Sequence, residues 1–325
     1  MTGPRPWTAY ETCRLCPREC GVNRLAGQRG RCGETAQLRV ASIVAHFGEE
    51  PPISGRRGSG TIFFTGCSSR CFFCQNWQIS LEHEGSPLPM DRWETLVRRL
   101  LVDHGVHNLN FVTPDHFWPH IAELCRRLRE AGVEVPFLFN SSGYQRPSMI
   151  PTYGEWMDIF MPDFKFGDPD LAEACMGDRR YPELALQSLQ KMVEAKGFLE
   201  PWDPSGAVPA RQGVLVRHLV LPGEVENSRQ VLRLLRQEFG RFLPLSVMSQ
   251  FHPTPYCWQR GRLTRGVTAS EYMEVIELVQ ELGFENVLIQ SAPSDDFLPD
   301  FQCVERPFKG NPPAVLEGED GRKAE

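Results

Sequence analysis

The sequence predicts an α/β fold built on a parallel sheet, with a small Cys-rich module ahead of it. Three observations carry this. Short β-rich runs alternate with segments of helical periodicity over residues 61–290, the pattern of repeated strand–helix–strand units with right-handed crossovers. Polar residues recur at the carboxyl end of one predicted strand after another, where ligands gather in parallel α/β architectures. Four cysteines fall within residues 13–32, in a stretch rich in Gly and Arg and poor in apolar residues.

Taken in order, residues 1–9 are expected to be a loose leader. Cys13, Cys16, Cys20 and Cys32 follow. A segment with so little to bury cannot fold on its own core, and a bound metal would supply what burial does not. Tetrahedral zinc and a Cys-ligated iron–sulfur cluster both fit this second metal site, with reduced loop thiols as the plainer alternative. Residues 33–59 connect this module to the first strand, through a short strand at 38–43 and a turn-rich loop around Glu49-Glu50-Pro51-Pro52. The expected division is therefore 1–59 for the Cys-rich module and connector, 60–292 for the α/β unit, and 293–325 for a Pro-rich, acidic, partly disordered C-terminal tail.

The run 61–64, Thr-Ile-Phe-Phe, reads as a buried strand that ends at Gly66 and delivers Cys67, Cys71 and Cys74. Three thiolates on one tight loop can hold three corners of a cuboidal iron–sulfur cluster. No fourth local ligand is present, and an open position is the general mark of a catalytic metal site. Further strands are expected at 108–113, 135–139, 157–161, 214–221, 245–248 and 287–290. Helices are expected through Trp93–Leu101, Ile121–Leu128, 183–196, Val231–Phe239 and, behind a Thr268/Glu271 capping box, Tyr272–Leu282. Residues 198–213, with Pro201, Pro204, Gly206 and Pro209, read as a long loop.

The chain has 325 residues, 41% of them hydrophobic, enough for one large barrel or two ordinary domains. No apolar run approaches the roughly 18–20 residues of a membrane span, and the first ten residues lack a signal-peptide core. A soluble cytoplasmic protein is expected. Net charge is −6 with both signs mixed, which gives no electrostatic case for nucleic acid or an anionic membrane as partner. Seven of the eleven cysteines fall in the two clusters. Without a sign of secretion, clustered cysteines point to metal or redox chemistry rather than disulfides.

The Cys67–Cys71–Cys74 spacing, with Phe73 before the last cysteine, resembles the signature of the radical S-adenosylmethionine (SAM) enzymes. Cys74-Gln75-Asn76-Trp77, Asn140-Ser141-Ser142-Gly143-Tyr144, Pro162-Asp163-Phe164-Lys165, Arg217-His218-Leu219-Val220-Leu221-Pro222-Gly223 and Gln250-Phe251-His252-Pro253 resemble, in collinear order, a branch related to pyruvate formate-lyase activating enzymes. The resemblance implies that the sheet curls into a partial (β/α) barrel. It implies a 4Fe-4S cluster on Cys67, Cys71 and Cys74, with the amino and carboxylate groups of SAM on the fourth iron. An electron from the cluster, supplied by a donor such as flavodoxin or ferredoxin, would then cleave SAM to a 5′-deoxyadenosyl radical that abstracts hydrogen from substrate.

The resemblance also distributes roles. Phe73 would lie near the adenine, or serve as a core aromatic behind the loop. Asn140 and Ser142 would face the cofactor, Asp163 and Lys165 would bracket its ribose and carboxylate, and His252 would lie near the methionine moiety. The activating enzymes carry Gly-Gly-Glu after the second strand to grip the methionine amino group. Here the matching place reads Thr113-Pro114-Asp115-His116, so the Thr113 hydroxyl or a backbone carbonyl is left to make that contact. Arg217 and His218 point to opposite faces of a regular strand, and Arg217 is the better candidate for a carboxylate partner. Three functions follow: activation of a glycyl-radical protein by hydrogen abstraction from a glycine, radical modification of a peptide or small molecule, or a non-catalytic iron–sulfur or zinc protein.

Overall fold

The computed structural model describes residues 6–290 and 298–316. Strand β1 (Arg39–His46) runs antiparallel to β2 (Ser59–Phe64) and carries the two-residue β3 (Ser86–Pro87) on its outer edge. From β2 the sheet continues in parallel through β4 (Leu109–Val112), β5 (Phe137–Ser141), β6 (Ile159–Pro162) and β7 (Gly213–Val214). A second parallel sheet has the order β10-β9-β8, formed by β8 (Val216–Leu219), β9 (Leu245–Met248) and β10 (Val287–Ile289). A parallel bridge between Asp163 and Arg217, with the Phe164 N–H donating to the Arg217 carbonyl at 2.7 Å, joins the end of β6 to β8. The result is one curved parallel series, β2-β4-β5-β6-β8-β9-β10: a partial (β/α) barrel.

Ten helices accompany the strands among the described residues: α1 (Pro51–Ser54), α2 (Trp77–Ser80), α3 (Met90–His104), α4 (Trp118–Glu130), α5 (Ile150–Gly154), α6 (Pro169–Met176), α7 (Tyr181–Lys196), α8 (Val225–Phe239), α9 (Pro255–Arg260) and α10 (Ala269–Glu281). Their ends follow local chemistry. Gly105 closes α3 in the left-handed conformation at φ 58°. Thr268 and Glu271 form the expected capping box of α10. Strands β2, β4, β5, β6 and β9 are buried along their whole length, as a sheet covered on both faces requires.

Differences from the sequence expectations have identifiable causes. The single strand expected at 214–221 is split at Leu215, because β7 pairs with β6 while β8 pairs with β9, so the chain changes sheet between them. The short strand at 38–43 extends to His46 and takes an antiparallel place that periodicity does not reveal. Helix α6 was not anticipated. Its start lies in Asp168, whose carboxylate accepts from the Asp170 and Leu171 amides, with Pro169 in the first turn.

Parts of both chain ends pack onto the barrel. In the segment expected to be a leader, residues 1–5 lie outside the described residues, while Pro6–Tyr10 form a 3-10 turn whose Tyr10 hydroxyl contacts His120 Nδ1 at 2.7 Å. Within the span expected to be a tail, residues 291–297 and 317–325 lie outside the described residues. Residues 298–316 lie against β1 and β2: the Val315 N–H donates to the Ile43 carbonyl at 2.9 Å, and the rings of Phe301 and Phe308 stand 5.3 and 5.2 Å from that of Phe63. Among the described residues no helix is long and apolar enough to cross a membrane.

Candidate active site

A cavity of about 550 Å³ lies within the barrel, its lining including the cysteine loop after β2 and Glu49 and Glu50. Cys67, Cys71 and Cys74 all line it and, among the described residues, are the only cysteines that do. The loop that carries them is held from several sides. Gly66 takes φ 71° and Arg70 φ 50°, two left-handed residues that fold the chain back tightly. From the N-terminal module, Arg18 donates to the Ser68 carbonyl at 3.2 Å and, across the loop, to the Met176 carbonyl at 2.6 Å. The Thr254 hydroxyl donates to the Phe72 carbonyl at 2.9 Å.

Burial pushes the Cys67 thiol up to about 12, and raises Cys71 and Cys74 as well, with Lys165 pulling the last two back toward ionisation. Three thiols so placed ionise only against positive charge, which is what a metal cluster brings. Three converging sulfurs without a fourth cysteine therefore fit a cluster with one exchangeable corner.

The strand ends supply the rest of the lining. Thr113, Asn140, Ser142, Asp163, Lys165, Arg217 and His252 all face the cavity, and so does Phe73, which also packs against Phe72, Phe166 and Phe251. Thr113 sits at φ 47° with its N–H donating to the Asn140 carbonyl at 2.7 Å. That conformation costs a β-branched residue on the order of 1–2 kcal/mol and marks the strand end as constrained. Asp163 is the hub of the charged groups. Arg217 Nε donates to its Oδ1 at 2.9 Å, and Lys165 Nζ donates to its Oδ2. Burial opposes ionisation of Asp163, but Arg217 and Lys165 together hold it below the usual carboxylate value. Arg217 also donates to the Asn140 side-chain oxygen at 2.7 Å.

Glu49 and Glu50, which the sequence places in a turn-rich connecting loop, both line the cavity. Glu49 accepts from Asn110 at 2.8 Å, from Asn140 at 3.3 Å and from Arg217 at 3.2 Å. Glu50 stands 3.8 Å from Arg217. Burial raises both above the usual carboxylate value, with Arg217 opposing it. The available sequence signal was two adjacent acids before a Pro-Pro helix start, which says nothing of where they point.

Other polar residues lie elsewhere. Arg217 and His218 do face opposite ways: His218 is fully buried outside the cavity, between the Phe164 carbonyl at 2.7 Å and the Ser228 hydroxyl at 2.9 Å. Asp115 and His116 turn away from the cavity toward the N-terminal module. The His116 carbonyl accepts from Arg24 of that module, His116 Nε2 meets the Thr65 carbonyl ahead of the cysteine loop at 2.7 Å, and burial lifts Asp115 to about 6.

Cys13, Cys16 and Cys32 are buried and Cys20 is half-buried. The Cys20 and Cys32 sulfurs each lie 3.6 Å from where a Cβ on Gly30 would stand, so the missing side chain leaves room between them. Arg24, 1% exposed, donates to the Thr35 and His116 carbonyls and to Cys13 Sγ at 3.8 Å. Among the described residues no carboxylate forms an ion pair with it. Also among these residues, no three His, Cys, Asp or Glu side chains are grouped so as to hold a single metal ion.

Residues 61–235 match the sequence model of the Radical SAM superfamily. An uncharacterized protein of Methanocaldococcus jannaschii is 23% identical over 282 residues, covering 85% of this chain and 76% of that protein. Among solved structures, Streptococcus suis SuiB bound to S-adenosylmethionine is similar at a TM-score of 0.47 and 12% identity, over 70% of this chain and 48% of that one. Methylornithine synthase is similar at a TM-score of 0.45 and 12% identity, over 80% of this chain and 74% of that one. The chain thus spans about half the length of SuiB.

Proposed function

The chain belongs to the radical SAM superfamily, and from that premise we propose that it binds a 4Fe-4S cluster on Cys67, Cys71 and Cys74 and uses SAM to abstract hydrogen from a substrate held in the barrel. The observation that carries this is the set of three thiols, Cys67 and Cys71 buried and Cys74 half-buried, lining a cavity that Asp163, Lys165 and Arg217 also line. Cluster and SAM together, when bound, supply a one-electron reductive cleavage of a carbon–sulfur bond, and with it a hydrogen-abstracting 5′-deoxyadenosyl radical.

The protein's own part is positional. Lys165, beside Cys71, offsets the charge of the thiolates. Asp163, fixed by Lys165 and Arg217, presents a carboxylate edge to the cavity for ribose hydroxyls, while Lys165 suits the methionine carboxylate. Thr113 and the backbone at the end of β4 take the amino group, Asn140 and Ser142 line the cofactor, Phe73 backs the adenine, and His252 lies toward the methionine chain. The apolar walls and the C-terminal segment keep competing hydrogen donors out. Flavodoxin or ferredoxin is the class of reductant this chemistry takes, in a cytoplasmic setting that keeps the thiols reduced.

The N-terminal Cys13, Cys16, Cys20 and Cys32 belong to the same reading as a second metal site within the 1–59 module ahead of the 60–292 barrel; of zinc and iron–sulfur, the absence among the described residues of three side chains grouped around one ion favours iron–sulfur. What supports the site is Arg24. A guanidinium so buried and without a carboxylate requires compensating negative charge, and metal-bound thiolates at Cys13 and Cys32 supply it. For the substrate, the Asp163-Phe164-Lys165 and Arg217–Gly223 motifs favour activation of a glycyl-radical protein. The acidic cavity floor favours a peptide or small molecule.

The test is anaerobic reconstitution followed by SAM and a strong reductant. We expect 5′-deoxyadenosine from the wild-type protein and none from Cys71→Ala. No product from protein with an intact cluster would overturn the reading. A glycyl radical detected by electron spin resonance in a candidate protein would select the first substrate class.

A further inference from the structure

We propose that Glu49 and Glu50 form a cation subsite on the floor of the cavity, which takes the protonated amine or guanidinium of the substrate. This rests on the radical SAM reading and names the substrate class of that same site.

Position comes first. Strand β1 is antiparallel to β2, and His46 pairs with Ser59, so the chain leaves β1 at the amino end of β2. The cysteine loop leaves β2 at its other end. Five residue steps at about 3.3 Å put the two roughly 16 Å apart along the barrel. The Glu side chains therefore enter from the end opposite the cofactor loop. From there their carboxylates reach Asn140 and Arg217, and through Arg217 the Asp163 group, while Val112, Leu219 and Met248 at the strand ends give the cavity apolar wall toward the cysteine loop.

Charge comes second. The Glu49 and Glu50 side chains are 8% and 9% exposed. Arg217 is the cation beside them, and it is shared with Asp163. Lys165 is engaged with Asp163. Three carboxylates thus face two cations, so that ionising all three leaves one negative charge in excess, and burial resists that ionisation at Glu49 and Glu50 until a further cation is present. A buried charge without compensation is costly.

Hydrogen bonding comes third and separates the two acids. Both Glu49 oxygens have donors. Glu50 Oε2 is buried and has none. An acceptor left in that state forfeits on the order of 1–3 kcal/mol, more when charged, and an N–H cation entering the cavity would supply the missing donor. An amine anchored there lays its carbon skeleton along the apolar walls, toward the cysteine loop where hydrogen is removed.

The probes are 1,5-diaminopentane and its neutral isostere 1,5-pentanediol. Their binding to the full chain is read by saturation-transfer NMR, before and after anaerobic reconstitution. We expect the diamine to bind at least about tenfold more tightly than the diol, the factor that 1.4 kcal/mol gives, and Glu50→Gln to abolish that preference. Ser246, on β9, lines the cavity with its hydroxyl bonded to the Glu50 carboxylate; Ser246→Lys, which tethers an ammonium there, is expected to abolish diamine binding while the chain still melts in one cooperative transition. In both variants the change that SAM produces in the cluster's electron spin resonance should persist. Equal binding of the two probes, or a preference unaltered by either variant, would overturn the proposal. So would weakened SAM binding in Glu50→Gln, which would assign the carboxylate to the cofactor instead. If SAM leaves the wild-type spectrum unchanged, the radical SAM reading is what fails, and the diamine preference measured without cofactor is still read on its own.

Discussion

Replacing Gly66 with alanine should weaken the fold and, on the proposed reading, lower metal binding by both cysteine segments, because the two segments touch at this residue. Gly66 precedes Cys67 and holds φ 71°. A Cβ there would stand 2.6 Å from the backbone oxygen of Cys32 and 2.6 Å from Cγ of Glu34. The left-handed conformation alone costs an alanine about 1 kcal/mol. Relieving a clash against backbone adds about 1–3 kcal/mol, for a total of about 2–4 kcal/mol. Melting entropy near 2.1 cal/mol/K per residue gives about 0.7 kcal/mol/K for this chain, so the melting temperature should fall by about 3–6 °C. Gly132→Ala is the matched control. It has φ 78° and nothing within 4 Å of the added methyl, so it should lose about 1 kcal/mol, or roughly 1.5 °C. The assay is a thermal melt of each variant together with iron, sulfide and zinc content after anaerobic reconstitution. If Gly66→Ala melts with Gly132→Ala and binds as much metal as wild type, the contact between the cysteine segments does not position them, and the reasoning fails.

Two further outcomes follow from buried polar groups. The Tyr181 hydroxyl accepts from the Lys165 N–H at 2.9 Å and donates to the Ser142 carbonyl at 2.8 Å, so Tyr181→Phe should cost about 1–3 kcal/mol and lower SAM affinity by loosening the Ser142–Lys165 pair. A calorimetric titration that finds wild-type affinity would contradict this. Burial lowers His46 and His218 to about 4 each. The unfolded chain protonates near 6.5 while the folded chain does not, so stability is present above 6.5 and is lost as pH falls toward 4. At pH 5 the loss is about 2 kcal/mol per histidine, and urea midpoints that coincide at pH 7 and pH 5 would count against it.

What could be read in advance was local. The cysteine loop, the Thr268/Glu271 box and the residues at strand ends announce themselves within a few positions, and the structure gathers Asn140, Asp163, Lys165 and Arg217 around one cavity. What could not be read was set by distant partners. Glu49 acquires its place from Asn110, Asn140 and Arg217, residues 61 to 168 positions away. Arg24 reads as one more basic residue of a Gly- and Arg-rich segment until Tyr10, Phe117 and Cys13 close around it. The antiparallel setting of β1 depends on a pairing that no periodicity in 39–46 encodes.

The segment 298–316 has a consequence for biogenesis. Phe301, Phe308 and Val315 press on β1 and β2, yet they leave the ribosome only after every strand and every clustered cysteine has been made. Domains fold as they are synthesised, amino-terminal parts first. The flank of the nascent barrel beside Phe63 therefore stays unsealed until translation has passed residue 315, so the barrel wall is completed by the last part of the described chain to be made.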